Sequence, residues 1–217
     1  MALLDSLDWF EVRRHYEQRI RVHKNLISLA RDNLVFPFAN LALGISDPVG
    51  NYSAAEHGLG SKILGTNVNA ERLVLDLARK FRLLNSASVV PELIRDAGIK
   101  FLQIGVGSEI SCMVHPEICW VANARTIWTH LVIKHADNTA KADEELRLYR
   151  EADVTSEMAY AMWSDIHAQL DVALTRIADL SKEFARRAKV VPGDVTYLWA
   201  DAIASSLYDL HHPRGKG

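Results

Sequence analysis

Only two cysteines, Cys112 and Cys119, occur in 217 residues. That is too few for a disulfide framework, so the fold has to be held by an apolar core. No apolar run approaches the roughly 20 residues that a helix needs to cross a bilayer, which argues against a membrane-spanning helix. The first residues include Asp5, Asp8 and Glu11 where a secretory signal would carry basic and then apolar residues, so no signal peptide is expected. A surplus of one charge is also missing. The formal net charge is −2 and the isoelectric point is near 6.5, which gives no global attraction to nucleic acid or anionic membrane. These absences predict a cytoplasmic protein with no membrane partner. Motif chemistry is equally sparse: the chain has no P-loop, nucleophile elbow, His-Glu-x-x-His or paired Cys-x-x-Cys, and no Glu-x-x-His pair for a dinuclear metal site.

What is present is helical pattern. Hydrophobic residues make up 49% and charged residues 24%, ordinary for a globular chain long enough to bury one large core. Ala159, Trp163, Ile166, Leu170, Ala173, Ile177, Leu180 and Phe184 are spaced alternately by four and three, which places them on one face of a helix spanning residues 156–189. A second seam of the same spacing joins Trp9, Arg13, Tyr16, Ile20, His23, Ile27, Ala30 and Leu34. Arg13 and His23 are its polar members and are expected at its edge, with the Arg stem reaching to water.

Between the seams the chain is punctuated. The first helix is expected to run from Asp5 or Ser6 to about Leu34, with Pro37 interrupting it. Glycines and turn formers cluster from Gly44 to Gly65, which reads as a long glycine-rich loop over 44–65, a candidate lid, with a short helix opened by Ser53 and Glu56 inside it. A helix follows from Asn69 to about Leu84, and a short one begins near Pro91. Ile99 to Ile104 is the best strand candidate, and the Gly105-Val106-Gly107 after it is similar to a phosphate-binding turn, although the third glycine is absent and Glu109 would repel a phosphate. Helices are expected again over 123–135 and 140–151 and, after Pro192-Gly193, from Asp194 onward, with 211–217 a frayed tail. Charge is uneven along this plan. Arg13, Arg14, Arg19, Arg21, Lys24 and Arg31 make the first helix basic, and Asp143, Glu144, Glu145, Glu151 and Asp153 make a later stretch acidic.

Two constellations carry candidate chemistry. Cys112, His115 and Cys119 offer three soft or borderline ligands within eight residues. A structural zinc would need a fourth from elsewhere, such as His57 or His130, and buried thiols acting as small hydrophobes explain the cysteines as well. Arg125 and His130 form an Arg-x4-His sequence that resembles the short motif of HEPN-type ribonucleases. The resemblance implies a helical bundle, usually dimeric, in which the Arg and His at a dimer cleft cleave RNA without a metal. A histidine titrating near neutrality suits movement of the 2′-hydroxyl proton, and a guanidinium suits developing charge on phosphate. Residues five apart point about 140° from each other on a helix, so Arg125 has to lie in the first turn to converge with His130. Thr126 departs from the polar amide or acid that the family favours after the Arg.

The sequence thus predicts an all-α bundle of five to seven helices in a single domain over 1–217, with two long antiparallel helices and an irregular middle section. Long apolar faces on a chain of this size also predict a homodimer. The expected function is that of an interaction or regulatory protein acting through helical faces. The alternatives are a HEPN-like ribonuclease with Arg125 and His130 as catalytic residues and RNA as partner, and a metal-binding helical protein. No cofactor and no metal ligand is assigned.

Overall fold

The computed structural model describes residues 2–151 and 156–212. Every regular element among them is helical: α1 (Trp9–Arg31), α2 (Val35–Ala42), α3 (Tyr52–Glu56), α4 (Leu59–Thr66), α5 (Ala70–Phe81), α6 (Val90–Asp96), α7 (Ile104–Val114), α8 (Ala124–Lys134), α9 (Thr139–Glu151), α10 (Glu157–Arg187) and α11 (Thr196–His211), with short 3-10 turns between some of them. The all-α class therefore holds, but eleven described helices replace the expected five to seven. The undercount comes from α2 and α4, eight residues each and too short to show a hydrophobic period, and from α7, whose approach read as a strand. No helix among the described residues is long and apolar enough to cross a membrane.

The predicted strand over 99–104 is absent; Ile104 opens α7, and Phe101 adopts a left-handed φ of 68° in the turn before it. Of the two glycines after it, Gly107 serves packing. A Cβ on Gly107 would lie 2.5 Å from the side chain of Ile94, so this glycine allows α7 to lie close to α6. Residues 44–65, expected as a long loop, contain α3, α4 and a 3-10 turn over Pro48–Gly50. Asp47 and Asn51 cap these short elements by accepting from the backbone N–H groups of Val49 and Ala54. A Cβ on Gly50 would stand 1.9 Å from the Leu41 carbonyl oxygen, so this glycine serves close backbone contact.

Backbone contacts divide the chain into two compact units, one of residues 1–17 and 124–217 and the other of 18–123. In the first, α10 packs chiefly on α11 and α8, and α9 covers α8. Trp9 stacks on Phe184 at 6.4 Å and meets Trp199 at 6.2 Å. Trp199 Nε1 donates to Ser181 Oγ at 2.8 Å. Tyr16 donates to Asp194 at 2.5 Å and accepts from the N–H groups of Asp194 and Val195, fixing the turn before α11. In the second unit, α2 lies on α5, α6 on α7, and α3 on α4 and α7. Asp153 of the acidic stretch and residues 213–217 of the expected tail lie outside the described residues.

Both seams are recovered with a shift in phase. On α10 the buried line runs through Ala159, Ile166, Leu170, Ala173 and Ile177 as expected, then continues at Ser181 and Ala185 while Leu180 is exposed. A strict 4-3 repeat averages 3.5 residues per turn, and a helix with 3.6 falls behind it by about 20° per heptad, which over three heptads moves the buried position by one residue. On α1 the buried line is Trp9, Val12, Tyr16, Arg19, Val22, Leu26 and Ala30. Arg13 and His23 sit at its edge as expected, and the polar residue truly inside is Arg19.

Candidate functional site

Arg19 leads to the first buried polar centre, which lies in the 18–123 unit. Arg19 and Glu109 are both 0% exposed and their charged groups lie 3.6 Å apart. Glu109 Oε1 accepts from Ser53 N (2.9 Å), Ser53 Oγ (2.6 Å) and Asn123 Nδ2 (2.9 Å), and Oε2 accepts from Tyr52 N at 2.8 Å. Arg19 Nη1 donates to the Val49 carbonyl at 2.8 Å, and its guanidinium lies over the Tyr52 ring at 5.2 Å. Asn51 donates to the carbonyls of Ala42 and Val106. A buried carboxylate is tolerated when its lone pairs and charge are met, and here the partners come from the 44–65 segment and from Asn123. This centre fastens that segment onto α7 and α1.

The second centre lies in the 124–212 unit, between α8 and α11. Arg125 is buried in the first turn of α8, as the sequence required, and donates to Asp209 Oδ2 at 3.2 Å. Its guanidinium also lies over Tyr208 at 5.8 Å, and Trp128 meets Tyr208 edge-on at the same separation. The first turn of α8 is thus seated on the last turns of α11. These helices are among the most extensively packed pairs, and a parallel α8 would run past the end of α11 without touching it, so α8 runs back antiparallel. One turn inward from the ion pair lie Thr129 and Ser205, and one turn further Asp201, because 201, 205 and 209 share one face of α11. Thr129, Ser205 and Asp201 are all buried. Polar side chains thus recur along both helices inward from the ion pair, and Thr129 Oγ1 and Ser205 Oγ make no hydrogen bond.

α10, the third helix of this core, buries His167, which desolvation holds neutral by lowering its pKa to about 4. His167 lies outside the 4-3 stripe that runs through Trp163 and Ile166, but a buried face wider than 100° takes in both 166 and 167. His130, the other predicted catalytic residue, is half-buried on α8. Its Nδ1 makes no hydrogen bond, and burial and then Lys134 lower its pKa. Arg125 is held by a carboxylate, so a phosphate on its guanidinium would have to displace Asp209.

The cysteines are both buried and in no disulfide. Burial pushes the Cys119 thiol up to about 12, and His115 Nδ1 faces the Phe81 carbonyl at 3.0 Å. Cys112 belongs to α7, which ends at Val114, so the three residues do not share one helix face. Among the described residues no three His, Cys, Asp or Glu side chains are grouped to hold a metal ion.

No family model matches the chain, and no curated protein or solved structure is significantly similar to it.

Proposed function

We propose that the chain is a cytoplasmic helical interaction protein whose docking face is the corner between α1 and α2. The observation that carries this reading is the exposure of Phe36 (64%) beside Leu34 (47%) at that corner, where burial of one such ring is worth about 1.5–3 kcal/mol. Asn33 ties the corner to α5, its Oδ1 accepting from Arg79 Nη2 at 2.8 Å and Arg72 Nη1 at 3.4 Å, and Leu73 of α5 is exposed as well. Arg72 and Arg79 reach the corner through Asn33, and Arg31 lies on α1 beside it, against the carboxylates Asp32 and Asp76. Exposed aromatic and aliphatic side chains among arginines match the composition of an interface core and its rim. A positive surround fits the apolar face of an acidic amphipathic helix, recognised through side chains spaced by three and four.

A photo-crosslinking amino acid at position 36, compared with one at exposed Val172, tests the reading in cells. The expected result is a discrete adduct from position 36 alone, with a purified partner whose affinity falls at least tenfold on Phe36→Glu. Adducts between two copies, with Phe36→Glu converting a dimer to a monomer, would identify the occupant as a second copy. Absence of any adduct specific to position 36 would overturn the reading.

A further inference from the structure

In the 124–212 unit, α9 is held chiefly by polar contacts. It buries only Ala142 and Leu146 of its 13 residues. The turn leading into it sets Ala136 (φ 51°) and Asp137 (φ 67°) in the left-handed region in succession, a conformation that an alanine side chain disfavours. Near the start of α9, Asp143 Oδ1 accepts from Trp128 Nε1 of α8 at 2.7 Å and faces Nε2 of His212, just past α11, at 2.9 Å. Glu145 accepts from Lys134 Nζ at 2.7 Å and meets His135 Nε2 at 2.8 Å. Burial alone would raise the Glu145 pKa, and the hydrogen bonds from Lys134 and His135 take it below the usual carboxylate range. At the far end, Tyr149 meets Trp163 of α10 edge-on at 6.1 Å and Arg150 donates to the Tyr208 hydroxyl. His212 is bound on both sides of its ring. Its Nδ1 faces the Tyr208 carbonyl oxygen at 3.2 Å while its Nε2 faces Asp143. Both oxygens only accept, so the ring offers hydrogen to both only as an imidazolium; a neutral ring carries one N–H.

We propose that α9 is a proton-operated strap: with His135 and His212 protonated it is fastened across α8 and α11, and with both neutral its first turns come away and open the Trp128 indole N–H to water. Histidine is the side chain whose ordinary range brings its charge change between pH 5 and 8. A neutral His212 has to give up either Asp143 or Tyr208, and a hydrogen bond between neutral partners is about half as strong as one to a charge. Both contacts at the far end of α9 involve neither histidine, so that end is the hinge. The charges around the two histidines come from every packed element. Arg125 and Arg150 lie over the Tyr208 ring, Asp209 is on Arg125 and Lys134 on Glu145. His211 meets Trp128 at 5.3 Å, His130 lies within reach of the Lys134 and Glu145 charges, and Asp165 of α10 acts on Tyr149. The direction follows from linkage: the fastened state holds more protons, so its population falls as pH rises.

The test is hydrogen–deuterium exchange of the full chain, read by mass spectrometry from about pH 6 to 8.5 and corrected for the intrinsic exchange rate. A helix this short does not keep its own hydrogen bonds once detached, so release appears as lost protection. Protection of residues 143–147 should fall by about tenfold as pH rises across that range, while α10 keeps its protection. The indole N–H of Trp128, followed by nuclear magnetic resonance, should exchange with water faster at the upper end of the range than at the lower. His135→Gln and His212→Gln supply a neutral donor at every pH, so the double variant should lose both dependences while its circular dichroism remains that of the parent. Protection of 143–147 that is constant with pH, that falls in step with α8 and α10, or that stays pH-dependent in the double variant would overturn the proposal.

Discussion

Replacing Glu109 by Gln changes one atom at the centre of the 18–123 unit and should cost as much as a large core deletion. The carboxylate receives only donors: two hydrogens from Ser53, one each from Asn123 and the Tyr52 amide, and the Arg19 guanidinium 3.6 Å away. A glutamine must point its NH2 at some of them. The less costly orientation keeps the carbonyl toward Ser53 and Asn123 and sets N–H against the Tyr52 amide, orphaning a backbone donor at about 1–3 kcal/mol. It also leaves the Arg19 charge facing a neutral group where neither side chain touches solvent, and loss of one member of a buried pair costs about 3–5 kcal/mol in all. Against a total stability of about 5–15 kcal/mol, urea unfolding followed by circular dichroism should show a plainly lowered midpoint. Protease should then cut within 44–65, which the carboxylate fastens. Arg19→Met in the same background removes the stranded charge, so the double variant should be more stable than the sum of the single losses by about 2 kcal/mol. A Glu109→Gln loss below about 1 kcal/mol, or strict additivity with Arg19→Met, would refute the account of this centre as a coupled charge pair.

Two further predictions concern glycine and pH. Gly50→Ala should destabilise by more than about 2 kcal/mol, because its Cβ would meet the Leu41 carbonyl oxygen at 1.9 Å and the backbone has to yield. Gly65→Ala, inside α4 with nothing within 4 Å, should instead gain about 0.5–1 kcal/mol in the same urea assay. His167 is a base whose pKa is about 4 in the folded protein against 6.5 unfolded, so the unfolded chain takes up the proton first. Stability should fall as pH drops from about 6.5 to 4, by up to about 3 kcal/mol, and His167→Leu should flatten the stability profile in that window.

How far the fold could be read from the residues depended on element length. The 31-residue α10 repeats its period many times, so its existence and face were legible, along with Trp9 in the core. α3, with five residues, and α2 and α4, with eight each, contain at most about two turns. The glycines of the 44–65 segment read as loop because a residue type does not say whether its small size serves flexibility or contact. Gly50 and Gly60 serve contact, a Cβ on Gly60 meeting the Leu43 carbonyl oxygen at 2.5 Å. The same ambiguity produced the false strand at 99–104, where an apolar run followed by Gly-Val-Gly is a turn leading into a helix that needs Gly107 to approach Ile94.

The buried polar centres were hidden for a different reason. Hydrophobic patterning sorts residues by type and assigns polar ones to the surface, yet on α1 the alternative phase through Val12, Arg19, Val22 and Leu26 was as regular as the one chosen, and it contains the arginine that is buried. One half of that pair was readable. Glu109 is the single charged residue in the α7 sequence IGVGSEISCMV, whose other side chains are apolar or small, and a carboxylate that cannot reach water from a buried helix must have a cation inside. Asking which arginine or lysine shares an apolar stripe elsewhere leads to Arg13 and Arg19, and Arg19 alone falls in phase with Val12, Val22 and Leu26. Asp201, in α11 between Leu198 and Ile203, and Thr129, in α8 between Trp128 and Leu131, follow the same logic as polar interruptions of apolar helices. A polar side chain on a buried helix has to be met from within the protein, so such interruptions locate a buried polar centre where the hydrophobic period alone is silent.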